Sequence, residues 1–149
     1  ARVNVATVLQ QSLKELGIVV EIGVMEFGTY LDKTAAGEHD MFILGWSNAT
    51  GDADYGLYAL FHSSQHGEPG NRSFYTNEKV DELLEAGRRE ADLTAREGIY
   101  KEAMQLLTDD APMAFVLHPS ILTGVAKNVS GFYVTSDSMY HLKDVKITE

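Results

Sequence analysis

The chain has 149 residues, 44% of them apolar, with 22 Asp and Glu against 12 Lys and Arg and a formal net charge of -10. That length suits one domain with a real core; the acidic balance, with no basic cluster interleaved with aromatics, excludes a partner held by its phosphate backbone, so no nucleic acid is expected. The absence of Cys excludes disulfides, thiolate metal sites and Cys nucleophiles, and no stretch reaches the ~18 to 20 apolar residues of a membrane-spanning helix.

The opening ARVNVATVLQ has neither the charged leader nor the continuous apolar segment of a signal peptide. It reads as part of a helix, so the true amino terminus is expected upstream. Val5, Leu9, Leu13 and Leu16 recur at helical spacing and Gly17 follows as a stop. Ile18, Val20, Ile22 and Val24 then alternate on one face of an expected strand.

A second helix, with Phe27, Tyr30, Leu31 and Ala35 on one side, closes at Gly37. The nearly continuous apolar run DMFILGW after it reads as a strand buried on both faces. Strand, helix and strand together predict a βαβ crossover with a parallel pair.

The loop HSSQHGEPGNRS is expected on the surface. Two helices follow. Thr76 or Asn77 caps the first, which carries a stripe of Val80, Leu83, Leu84 and Gly87. The second has Thr94 and Glu97 at capping-box spacing and an apolar face of Ile99, Ala103, Met104, Leu106 and Leu107, and ends at Ala111-Pro112. MAFVLHP, ILTGVA and GFYVTS are short β-type runs, separated by Pro119-Ser120 and Lys127-Asn128. Residues 1–149 therefore read as a single α/β domain with a parallel pair and an extended carboxyl-terminal return.

In open α/β sheets ligands bind beyond the carboxyl ends of strands, where loops diverge and helix amino termini point inward. Residues 46 to 54 lie at such an end. Trp46 offers a flat apolar surface with one N–H donor, Ser47, Asn48 and Thr50 offer short polar groups, and Gly51 permits close backbone approach. Asp52 and Asp54 are the charged groups. One of them is expected to cap the helix ADYGLYALF, and the other to face a ligand amine or cation. Tyr55, Tyr58 and Phe61 repeat at a three-residue spacing and read as a core-facing stripe, with Tyr55, nearest the loop, kept as a ligand contact.

Catalytic readings of the same residues fit less well. Asp52 and Asp54 as a hydrolytic pair have no His, Lys or Arg within the loop to separate their pKa values. A Ca²⁺ loop starting at Asp52 would need Gly and Glu where Leu57 and Ser63 stand. His62 and His66 flank a loop and lack the Glu of a metalloprotease helix, which leaves solvated or backbone-bonded imidazoles as the default. His39, His118 and His141 are isolated. No nucleophile elbow, dinucleotide fingerprint or P-loop occurs, so no cofactor is expected.

Taken in order, LQQSLKELGIVVEI, FGTYLDKTAAGEHDMFILGWSNATGDADYGLYALFHSS, GNRSFYTNEKVDELLEAGRREADLTAREGIYKEAMQLLTDDAPMAFVLHP and GVAKNVSGFYV resemble the carboxyl-terminal part of family-5 extracellular solute-binding proteins. These are the oligopeptide-, dipeptide-, nickel- and glutathione-binding components of ABC importers. The resemblance implies part of a two-lobed periplasmic-binding-protein-like (class II) fold, mostly one lobe with return strands toward the hinge. It further implies an extracytoplasmic or lipid-anchored location, an oligopeptide ligand, a second lobe of the same protein, a membrane permease as partner and no enzymatic activity.

The segment after Gly45-Trp46 resembles the family's ligand-contacting edge. In peptide binders of the family, an Asp three residues beyond the Trp pairs with the peptide α-amine; here that position is Ala49, and Asp52 or Asp54 is left to substitute. The resemblance together with the position of the loop assigns Trp46, Ser47, Asn48, Ala49, Thr50, Asp52 and Asp54 to ligand binding, and Tyr55 joins them as the aromatic nearest the loop. Carriage of nickel, a metallophore or a glutathione-like ligand is the alternative, and a hydrolase acting through Asp52 and Asp54 the alternative of another class.

Overall fold

Helices form where the local pattern asks for them. In the computed structural model, which describes residues 2–118, 120–135 and 137–148, α1 (Arg2–Glu15) and α2 (Phe27–Ala35) are the expected amino-terminal helices. Gly17 and Gly37 follow them at φ +78° and +75°, left-handed conformations that other residues adopt only with strain. Glu26 caps α2 by accepting from the Thr29 N–H at 3.1 Å.

The core is built by the next three helices. α3 (Ala53–Phe61), α4 (Glu78–Arg89) and α5 (Leu93–Asp110) enclose Phe61, Val80, Leu83, Leu84, Tyr100, Ala103 and Leu107. The expected α4 stripe is buried in full. Its Gly87 admits the Tyr100 ring, to which a Cβ at that position would come within 2.7 Å. On α5 the expected face is corrected at one position: Met104 is exposed, and Tyr100 occupies the core instead because Gly87 leaves room for its ring.

Caps follow the sequence in one case and depart from it in another. Asn77 caps α4 by accepting from the Lys79 and Val80 N–H groups. The cap of α5 is Asp92, accepting from Ala95 N at 2.8 Å. Thr94, expected there, lies inside the helix, because a carboxylate two positions earlier reaches the same unpaired first-turn donors. Ala111 ends α5 at φ +49°, just before Pro112.

The strand expectations are the main correction. Among the described residues no parallel strand pair forms: residues 18–26 and 41–48 carry no regular secondary structure, and Val19, Val24 and Met41 are exposed, so the run at 41–46 is not buried on both faces. A strand exists only when another strand satisfies its backbone. Here side chains do part of that work, Gln10 donating to the Val20 carbonyl at 2.7 Å and Tyr30 to that of Ile43 at 2.8 Å.

Neither 113–118 nor 120–126 forms a strand, and Pro119, expected as a separator, lies outside the described residues. The strands present are two-residue pieces: β1 (Val129–Ser130) pairs antiparallel with β4 (Lys146–Ile147), and β2 (Tyr133–Val134) with β3 (Tyr140–His141). The accessible surface, 10985 Å², far exceeds the ~7,500 Å² expected of a compact protein of this size. Much apolar surface is consequently uncovered.

The loop at 62–73 was expected on the surface and is instead partly interior. His62 and Asn71 are buried, the latter fully, and Asn71 ties the loop by donating to the carbonyls of His62 and Tyr75 and accepting from Ser73 Oγ and Tyr75 N. Gly70 fits beneath α3 because it has no Cβ, which would meet the Ala59 carbonyl oxygen at 2.5 Å. Nearby, burial and the Asp110 carboxylate that accepts from its hydroxyl push the Tyr75 phenol up to about 12.

Candidate functional site

Residues 46–55 run from the segment after α2 into the first turn of α3, and the loop is organised by its own short side chains. Asn48 Nδ2 donates to the Asp52 carbonyl at 2.7 Å, while its Oδ1 accepts from the N–H and hydroxyl of Thr50. Thr50 Oγ1 accepts in turn from the Asp52 N–H at 3.2 Å. Gly51 makes the tight turn, at φ +67°. Such side-chain-to-backbone bonds hold a loop in one conformation without a partner strand.

Asp52 caps α3, its Oδ1 accepting from the Asp54 N–H at 2.8 Å. The same carboxylate is gripped by Arg96 of α5: Nη1 donates to Oδ2 at 2.8 Å and Nη2 to Oδ1 at 2.6 Å. Arg96 is steered by a further bond from Nε to the Gly87 carbonyl at 2.9 Å and lies over the Tyr100 ring. Asp54 pairs with Arg88 of α4, Nε to Oδ1 3.2 Å, and receives a long bond from the Tyr100 hydroxyl. Arg88 is itself seated over the Tyr58 ring, 3.9 Å from its centroid.

The bidentate bond from Arg96, with the Asp54 N–H second, holds the Asp52 carboxyl below its ordinary value of 3.8. A carboxyl held low contributes stability that is complete above pH 3.8 and is lost as pH falls through the folded value, because the unfolded chain takes the proton first. We expect Arg96→Met to flatten part of the acid-unfolding limb below pH 3.8, followed through the fluorescence of Trp46, the chain's single Trp. An identical acid limb in the variant would remove this pair from the acid response.

On the open side of the loop, Trp46 is 40% exposed and Tyr55 42%. Their ring centroids are 5.4 Å apart at 41°, and the indole also lies over Gly56, where a Cβ would meet Nε1 at 3.7 Å. Ser47, Ala49 and Thr50 are exposed beside them. The expected stripe of Tyr55, Tyr58 and Phe61 therefore splits: Phe61 is core, Tyr58 half-buried and Tyr55 exposed against Trp46.

Of the eight residues expected at the site, Trp46, Ser47, Ala49, Thr50 and Tyr55 are exposed. Asn48 and Thr50 are engaged in the loop's internal bonds, and Asp52 and Asp54 are directed at arginines. Arg88, Arg96 and Tyr100, which complete the arrangement, were missed by sequence reasoning. They arrive from helices that begin far beyond the loop, and no local spacing announces them. No group of three or more potential metal ligands occurs among the described residues. His62 is buried, its Nδ1 accepting from the Ser64 N–H at 3.1 Å.

Residues 1–68 match the family model of the bacterial extracellular solute-binding proteins, family 5 Middle. The chain is 34% identical over 128 residues to the probable D,D-dipeptide-binding periplasmic protein DdpA of Escherichia coli, an alignment that takes in 86% of this chain and 25% of that protein. It thus spans about a quarter of that relative's length. Among solved structures, it is similar to the periplasmic binding protein DppA of Helicobacter pylori in complex with the peptide STSA, with TM-score 0.67, 36% identity, and 73% of this chain and 22% of that one covered. The oligopeptide-binding protein AppA of Bacillus subtilis, in complex with a nonapeptide, superposes on 99% of this chain and 29% of its own with TM-score 0.82 at 23% identity. That likeness shows the fold: the helix-rich chain is part of an α/β lobe, and the runs expected as strands belong to segments that here lack strand partners.

Proposed function

The chain belongs to the bacterial extracellular solute-binding proteins of family 5, and from that membership we propose that it supplies part of one lobe of an extracytoplasmic peptide-binding component of an ABC importer. The observation that carries the reading is the exposed Trp46–Tyr55 pair on an internally bonded loop, inside the segment the family model matches. A rigid, half-exposed aromatic beside backbone and small polar groups suits a ligand whose main chain is held while its side chains vary. Trp46, Ser47 and Ala49 form the wall, with Tyr55 bracing the indole; Asn48, Thr50, Asp52 and Asp54 hold the wall in place.

In this reading the work done is closure rather than turnover. Each lobe presents half of a site, the ligand bridges them, and the closed population rises by the ligand's preference for that state. The closed form is what a membrane permease would receive. D,D-dipeptide and peptide binding in the similar proteins supports peptides as the class.

Two measurements test this. Mass spectrometry of ligand carried by the full-length protein, purified without denaturation, is expected to show a ladder of peptides; a metal complex, a single non-peptide molecule or an empty cleft would overturn the peptide reading. Trp46→Ala in that protein is expected to weaken peptide affinity by about tenfold or more, the effect of truncating a buried aromatic anchor. Unchanged affinity would remove Trp46 from the wall.

A further inference from the structure

The two carboxylates are the groups at this loop that a cationic ligand would be expected to seek, and the structure pairs each of them with an arginine. Between Leu44 and Tyr55 the side chains ionised near neutral pH are Asp52 and Asp54. Arg96 faces Asp52 in a bidentate pair and Arg88 faces Asp54. Neither arginine is a loose counter-ion: Arg96 is tied to the Gly87 carbonyl and laid over Tyr100, and Arg88 is laid over Tyr58. A planar guanidinium anchored at a second point keeps its geometry when a competing cation approaches.

We infer that the carboxylates beside the Trp46 wall are neutralised by construction, while the Arg2 guanidinium near Gly45 adds no negative charge, so that the wall accepts an uncharged part of the ligand, with Arg88 and Arg96 as the residues that set this specificity. The inference rests on the wall assignment made above. An ammonium group brought to the loop meets one positive charge bonded to each negative one, so its attraction to the pairs largely cancels. Ligand selection there falls to the indole face of Trp46, the Tyr55 ring and neutral hydrogen-bonding groups. The preferred ligand is a peptide presenting a neutral stretch to this wall, its ionised termini lying elsewhere or masked. Arg96 acts through Asp52, and its role is positioning and charge compensation.

The test uses the full-length protein and a matched pair of alanine peptides, one with a free amino terminus and one acetylated. Calorimetric titration is expected to show the acetylated peptide bound at least as tightly as the free one. Arg96→Met, which unmasks Asp52, should move the ratio toward the free amine by about tenfold, the scale of one charge-assisted hydrogen bond. Arg96→Lys, which keeps the charge but loses the fork, should retain the wild-type preference, and Arg88→Met should act at Asp54 as Arg96→Met does at Asp52.

An equal loss of both peptides in Arg96→Met would reduce the arginine to a structural support and overturn the inference. So would a wild-type preference for the free amine that Asp52→Asn abolishes. A second measurement needs no ligand: the Asp52 carboxyl, followed by carbon NMR in the wild-type protein, should titrate below the ordinary carboxylate range. A midpoint within that range overturns the neutral wall whichever peptide binds. Failure of both peptides to bind, with Asp52 titrating low, overturns the peptide reading and leaves the neutral wall standing.

Discussion

Replacing Phe61 with alanine is expected to cost about 3–5 kcal/mol of stability, the range for a fully enclosed aromatic. Phe61 is 1% exposed, closes the carboxyl end of α3 against α4 and α5, and meets the Tyr75 ring edge-on at 6.4 Å. Its removal leaves a cavity between helices that cannot shift freely, since α3 is also tied at its other end by the Asp52 cap and the Arg96 pair. Denaturant unfolding of the full-length protein, read together with amide exchange in α3 and α4, measures the effect. A loss under about 1 kcal/mol would show that the site collapses easily and that this core is not close-packed.

For the site the consequence is indirect. Loosening α3 at Phe61 leaves Tyr55, which packs on Trp46, on a helix held at one end, so under the proposed function peptide affinity should fall along with stability. A Phe61→Leu variant, which keeps much of the buried volume, is expected to recover most of both.

Asn71→Ala is expected to cost about 3 kcal/mol or more, although it removes few atoms. The side chain is 0% exposed and serves four partners: the carbonyls of His62 and Tyr75, the Tyr75 N–H and the Ser73 hydroxyl. Truncation strands the buried His62 carbonyl and removes three further bonds at half-buried Ser73 and Tyr75, whose carbonyl keeps His66 Nε2, and a buried polar group left without a partner costs about 1–3 kcal/mol. Asn71→Asp should do no better, since it sets a carboxylate against two carbonyl oxygens. A mild effect for Asn71→Ala, with the loop protected from exchange, would mean that water replaces the amide. Because Phe61 and Asn71 both meet Tyr75, the double variant should lose less than the sum of the singles.

The loop around Asn71 illustrates how a sequence pattern misleads. HSSQHGEPGNRS has the composition of a surface connection, and its glycines do turn the chain. Composition does not register that one amide can satisfy four backbone and hydroxyl groups at once and draw the loop inward.

Much of the remainder was legible, and the reason is range. The five helices and the stops at Gly17, Gly37 and Ala111 depend on neighbours within about four residues, through apolar periodicity, first-turn donors and left-handed backbone. A cap by one of Asp52 and Asp54 and the α4 stripe are of the same kind, although which of the two caps was settled by the fold. The eight candidate residues between Trp46 and Tyr55 were picked out by the family resemblance together with their place in the chain. The ordered motifs along the whole chain likewise indicated family 5, which the comparisons support.

What the sequence by itself determined, then, is the set of interactions that close within a turn or two of chain: where helices begin and end, which faces are apolar, and which loop concentrates aromatic and short polar groups. Only the tertiary structure decided which of those groups remain available. Arg96 reaches Asp52 across 44 residues, and the runs at 18–24 and 41–46 lack the neighbouring strands that would make them a sheet. The physical reason is common to both: ion pairs and strand ladders join groups distant in the chain, and pattern within a segment carries no record of what folding brings beside it.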